Sequence, residues 1–171
     1  MKKIILILSL AMFATSVFSQ TINQTKIDEK SQMEVMTGIW SREGIQTSDL
    51  FKAFYDTEYK AYAPEISVLD NIKIARAAKQ ITITIVMGSW CGDSQEQVPR
   101  FLKILDILSF PDTSITLICV DRTKKSLNGE TDNLKVQLVP TFIIYSDSKE
   151  IGRIVETPKE TLEKDLLTII K

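Results

Sequence analysis

Ile81-Thr82-Ile83-Thr84-Ile85-Val86-Met87 runs directly into Gly88-Ser89-Trp90-Cys91-Gly92-Asp93-Ser94. The first seven residues are largely β-branched and predict a strand. From Cys91 to Ser109, Val98, Phe101, Leu102, Leu105 and Leu108 fall on one face at helical spacing. A cysteine therefore stands where a strand gives way to a helix. The first N–H groups of a helix lack intrahelical partners and its dipole is positive at that end, so both stabilise a thiolate. Asp93 and Glu96 oppose this with negative charge, and no Lys or Arg lies within five residues of Cys91 on either side. The plainer alternative is an inert cysteine at a turn.

Outward from this junction, Ile115–Val120 is nearly all apolar and predicts a second, central strand. Because a helix joins it to the first, the two should run parallel with a right-handed crossover. Residues 122–138 are charged and carry the turn signal Asn128-Gly129, with a short helix expected inside. Thr141–Tyr145 and Glu150–Val155 read as an antiparallel hairpin around Ser146-Asp147-Ser148. Thr157-Pro158-Lys159-Glu160 has the form of a capping box with proline at the first helical position. The last helix then buries Leu162, Leu166, Leu167 and Ile170. The order is βαβ, a connection, then ββα: an α/β domain with a mixed four-stranded sheet and helices on both faces.

Before Ile81, a helix capped by Thr47 or Ser48 is expected to reach about Tyr62, with Leu50, Phe51, Phe54, Tyr55, Tyr59 and Tyr62 facing a core. Pro64 opens a second helix over 65–79. Residues 20–46 read as a polar leader, partly helical, with Trp40 as a packing residue. Lys2-Lys3, an apolar run and Val17-Phe18-Ser19 have the order of a secretory signal peptide over 1–19, cut before Gln20. The alternative is an uncleaved anchor, but Ile4–Phe18 is shorter than the ~20 residues a spanning helix needs. The expected divisions are thus signal peptide 1–19, leader 20–46, helical extension 47–80 and core 81–171. The product would be exported, periplasmic or secreted, and free of the membrane after cleavage. Export implies an oxidising compartment, in which Cys91 and Cys119 could pair or one could be a working thiol.

Composition removes other chemistries. The chain of 171 residues contains no histidine, which excludes His-dependent hydrolysis and His-ligated metal sites. Two cysteines are too few for a four-cysteine zinc site, and no metal or cofactor is expected. With 21 basic and 22 acidic residues, the net charge of −1 gives no reason to expect a nucleic-acid partner. Cys119, within an apolar strand, reads as a small core residue.

The region 81–171 resembles the thioredoxin-like superfamily, and is similar to bacterial members that carry Trp-Cys-Gly-Asp at the active site. Trp90 precedes the cysteine, Pro99 lies eight residues after it, Val139-Pro140-Thr141 opens the third strand where the family has its cis-proline loop, and the element order is the family's. The resemblance implies a thioredoxin fold with an N-terminal helical extension. It implies Cys91 as nucleophile beside Ser94, and a substrate surface of Trp90, Gly92, Asp93, Val139, Pro140 and Thr141. The Val139 backbone would pair strand-to-strand with an extended substrate segment.

Three departures stand out. Ser94 occupies the place of the family's second cysteine, Ile85 that of its buried aspartate, and Ser146–Glu150 lacks the hairpin glycine. A serine cannot resolve a mixed disulfide, although its hydroxyl can donate to the Cys91 thiolate. Together with the signal-like start, the resemblance thus implies an exported monothiol protein in thiol–disulfide exchange or isomerisation. Its partners would be disulfide- or thiol-containing protein substrates and an external thiol reductant. The alternative is a non-catalytic thioredoxin-fold module that binds extended peptides or a partner protein.

Overall fold

The computed structural model describes residues 21–171; the expected signal peptide and cleavage point lie outside them. The elements are β1 (Gln24–Ile27), β2 (Glu34–Trp40), α1 (Arg42–Thr47), α2 (Lys52–Ala61), α3 (Ile66–Arg76), β3 (Ile81–Met87), α4 (Gly92–Ile107), β4 (Ile115–Cys119), β5 (Thr141–Ser146), β6 (Lys149–Val155) and α5 (Leu162–Ile170). The strands form one mixed sheet in the order β1-β2-β4-β3-β5-β6. β3 runs parallel to β4, as the helical crossover requires, and antiparallel to β5, which pairs with β6 as the expected hairpin.

Alternation along β3 separates the two faces. Ile81, Ile83, Ile85 and Met87 point into the main core, while Thr82 and Thr84 lie half-buried on the other side. The main core also takes Phe101, Leu102 and Leu105 from α4 and Leu162, Leu166 and Ile170 from α5. Phe101 meets Phe142 of β5 with ring centroids 4.4 Å apart. Buried side chains of α1, α2 and α3 join this same cluster. The opposite face has a smaller cluster of Val86, Ile118, Val120 and Val139, covered in part by Ile39, Trp90, Leu134 and Val136.

The α/β class and the mixed sheet flanked by helices are as expected. Their distribution is not: the helical core residues gather on one face of the sheet rather than on both. The short helix expected within 122–138 is a series of turns. Asp121 organises its start by accepting from the Thr123 amide and hydroxyl at 2.8 and 2.6 Å and from the Lys125 amide at 3.2 Å. A side chain that takes three such bonds holds the backbone in turns and competes with a helix.

The sheet has six strands where four were expected. Residues 24–40 form a hairpin and pair with β4 through Gly38–Cys119, Ile39–Ile118 and Trp40–Leu117. This stretch looks like a polar leader in sequence because β1 is an edge strand with no buried face. β2 buries consecutive residues from Val35 to Gly38 and so shows no alternation. Lys26 ties the hairpin to the body at 2.6 Å from Asp121, and Trp40 is buried in the main core.

The helix boundaries also move. Thr47 ends α1 and Ser48 is its C-cap, so neither caps the helix that reaches Ala61: α2 begins after Phe51 with no side-chain cap, while Ser41 caps α1, its hydroxyl accepting from the Gly44 amide at 2.9 Å. At α5 the cap is Thr161, whose hydroxyl accepts from the Lys164 amide, and not Thr157.

The hairpin without glycine still turns in two residues. Ser146 pairs with Lys149, and Asp147 and Ser148 adopt φ of 50° and 66°. Left-handed backbone costs a non-glycine residue about 1–2 kcal/mol, so Ser148→Gly should raise stability by roughly 1 kcal/mol in urea unfolding.

Asp121 links stability to pH. Burial pushes its carboxyl up, but hydrogen bonds from Lys26, Thr123 and the Lys125 and Thr123 amides outweigh this and hold it down to about 2, below its ordinary 3.8. A carboxyl depressed in the folded state stabilises above its unfolded pKa, and the contribution is lost as pH falls from about 4 towards 2. Asp121→Asn should cost about 1–2 kcal/mol at pH 7, and the gap from the wild type should close over that acid window in thermal unfolding.

Candidate functional site: the Cys91 turn and the Val139–Pro140 loop

Sheet register brings the two halves of the site together. Val86 near the end of β3 pairs with Thr141 at the start of β5. The residues after β3 and those before β5 therefore meet at one end of the sheet. Cys91 is the N-terminal flanking residue of α4 in extended conformation: its amide donates to the Gly88 carbonyl at 3.0 Å and its carbonyl accepts from Gln95 at 2.9 Å. Its side chain is half-buried, and the thiol donates to the Val139 carbonyl at 3.1 Å. The Val139–Pro140 peptide is cis.

The neighbouring residues differ in what they can offer. Trp90 is half-buried; its indole N–H donates to the Val120 carbonyl at 2.9 Å, and the Arg122 guanidinium stacks 5.0 Å above its ring. The ring lies against Gly88, where an added Cβ would stand 2.7 Å from an indole carbon, so only glycine fits. Gly92 is exposed with nothing within 4 Å of a would-be Cβ, and Asp93 is half-buried in the first turn. The face of α4 beside Cys91 is thus open.

Ser94 is fully buried, and its hydroxyl accepts from the Gly88 amide at 3.2 Å. That bond fastens the strand-to-helix turn from within. Ile85, at the place of the family's aspartate, is fully buried among apolar side chains. The Val139 side chain is buried, so its backbone is what it presents; the Pro140 carbonyl is taken by the Glu156 amide at 2.7 Å. Thr141 is buried and its hydroxyl donates to the Leu138 carbonyl at 2.7 Å, so this side chain holds the loop and does not face outward. Nothing in the sequence marks Arg122 or Ser89 as part of the site. Ser89 accepts from the Met36 amide of β2 at 3.2 Å, a contact with no signature in a single sequence.

Cys119 is fully buried in β4, beside Met87, and burial pushes its thiol up. Both cysteines are free. Among the described residues no group of three or more Cys, Asp and Glu side chains is placed to hold a metal ion.

Residues 46–167 match the family model described as Thioredoxin. The chain belongs to the thioredoxin family. Among curated relatives, Thioredoxin H2-1 of Oryza sativa subsp. japonica is 30% identical over 96 residues, which are 54% of this chain and 65% of that protein. A thioredoxin of Geodia cydonium is 26% identical over 84 residues, 49% of this chain and 74% of that one. A mutant thioredoxin from Halobacterium salinarum, among solved structures, aligns with a TM-score of 0.37 and 15% identity, covering 58% of this chain and 79% of that chain. The match to the family begins after β2, so the β1–β2 hairpin lies outside it.

Cys91 and Cys119 should separate cleanly in alkylation. In native protein at neutral pH, Cys119 should label at least about 100-fold more slowly, since reaction needs the sheet to open. Peptide-resolved mass spectrometry checks this, and in urea the two should label alike.

Proposed function

We propose that this chain is an exported monothiol thioredoxin-like protein that exchanges or isomerises protein disulfides through Cys91. The observation that supports the reading best is the half-buried Cys91 thiol at the start of α4, facing the cis Val139–Pro140 loop, with a buried serine three residues on. The Cys91 thiolate attacks one sulfur of a substrate disulfide. That bond breaks as the Cys91–substrate disulfide forms, and the departing sulfur leaves as a thiolate and takes a proton. Ser94 has no thiol to complete the exchange. For net reduction, an external thiol attacks the Cys91 sulfur and releases the substrate thiol; a second equivalent frees Cys91, and the reductant leaves as its disulfide. For isomerisation, another substrate thiolate attacks the substrate sulfur and returns Cys91 with no net redox change.

The second reading, a non-catalytic module that binds extended peptides or a partner protein, is favoured by one observation. The Ser94 hydroxyl is buried and engaged by Gly88, and Ile85 supplies no proton acceptor beneath the turn. The bacterial origin, the domain divisions at 20, 47 and 81 and the periplasmic or secreted location belong to the same proposal, and rest on the resemblance and the signal-like start.

Ser94→Cys separates the two readings. The substitution is nearly isosteric, and residues three apart on a first helical turn are neighbours. The variant should form a reversible disulfide between Cys91 and the introduced thiol, and reduce insulin about tenfold faster than the wild type with a supplied reductant. A disulfide that forms without any gain in reduction would leave the binding module as the better reading. Export has its own check: intact mass of protein expressed in a bacterial host should correspond to a chain beginning at Gln20, and a full-length product retained in the cytosol would contradict it.

A further inference from the structure

Beside the Cys91 turn lies a cavity of about 370 Å³ that the β1–β2 hairpin and the start of α2 build against Trp90, with no residue of the Val139–Pro140 loop in its lining. Its apolar lining comes from Met33, Val35, Leu50, Phe54 and Trp90. Met33 and Phe54 are 63% and 42% exposed, and with Leu50 and Trp90 they stand together around this one cavity as a patch and not as scattered apolar residues. The volume suits one or two side chains of a partner and not a folded surface.

The charges around it do not balance. Glu34 and Asp49 line the cavity, and neither has an ion pair among the described residues; Glu34 only accepts from the Thr25 hydroxyl. The cation at the cavity, Arg122, is stacked on Trp90 and has buried Asp28 3.7 Å from its Nε. The site therefore presents an apolar floor with an acidic rim. Ser89, Trp90 and Gln95 also line it, and they precede and follow Cys91 closely in sequence. A chain whose cysteine reaches Cys91 brings its neighbouring residues within reach of this cavity.

We propose that the cavity is a specificity subsite for the polypeptide substrate of Cys91, taking a large apolar side chain that is followed or preceded by Lys or Arg. The proposal rests on the exchange reading above for its use, but not for its test. Four short peptides carry an activated aryl disulfide on one cysteine, flanked by Leu-Lys, Leu-Glu, Ser-Lys or Ser-Glu. The release of aryl thiolate reports mixed-disulfide formation with Cys91. The wild type should react about tenfold faster with the Leu-Lys peptide than with Ser-Glu, the scale of one apolar side chain in a fitted pocket. Phe54→Ser should erase the preference for Leu, and Glu34→Gln with Asp49→Asn the preference for Lys. Neither change should alter the rate with a small disulfide that has no peptide.

Binding of the same peptides, with serine for cysteine and a fluorescent label, is measured in parallel by anisotropy. If Cys91 is inert even to the small disulfide, the exchange reading falls, while the binding order still decides the subsite. Equal rates and equal binding across the four peptides, or a preference that survives both variants, would overturn the subsite.

Discussion

Strand β3 lies between β4 and β5, and its register with β5 places the site. With Val86 opposite Thr141, the turn that carries Cys91 and the loop that carries Pro140 leave the sheet at the same end. A one-residue slip would send Ile81, Ile83 and Ile85 to the side now occupied by Thr82 and Thr84. The fully buried Phe101 and Phe142 make such a slip costly, since both pack on the isoleucine face. Burial on one side of the sheet thus sets the distance between a thiol and a carbonyl at its end.

The turn is then made rigid by small polar contacts. Ser94 receives the Gly88 amide, Gly88 admits the Trp90 ring, and Trp90 donates to Val120 just past the end of β4. The two hydrogen bonds each give a partner to a backbone group, the Gly88 amide and the Val120 carbonyl. The Cys91 backbone belongs to the turn, but its thiol bonds only the Val139 carbonyl, so the sulfur is restrained yet half-open. In a dithiol site, position 94 would take part in the chemistry. Here it serves the turn.

The helices gather on one face of the sheet, which leaves the other to the coil that follows β4, while the β1–β2 hairpin extends the sheet at its edge. The coil over 121–138 covers Val86, Ile118 and Val120 only in part, and Arg122 and Trp90 close the upper end. The hairpin reaches the site through Met36 and Ser89 and adds a wall that the family match does not include. The groove beside Cys91 is accordingly built from residues distant in sequence, held by the sheet pairing of β2 with β4.

Residues 81–171 were largely legible because their signals are local. The β-branched run of β3, the helical spacing of α4 and the Val139-Pro140-Thr141 strand start each state their own conformation, and each appears where the spacing placed it. The chain by itself also determined that Cys91 stands at a strand-to-helix junction and that position 94 has no thiol. The hairpin over 24–40 was not legible: an edge strand with polar residues on both sides and a partner buried on both faces give no period of two. The same holds for 122–138, where one aspartate organises turns in a segment with no apolar stripe. Only the tertiary structure decided that the helices share one face, that Thr141 points into its own loop, and that Arg122 stacks on Trp90. Those facts depend on which surfaces meet after folding, and periodicity reports the face a segment buries without naming what it is buried against.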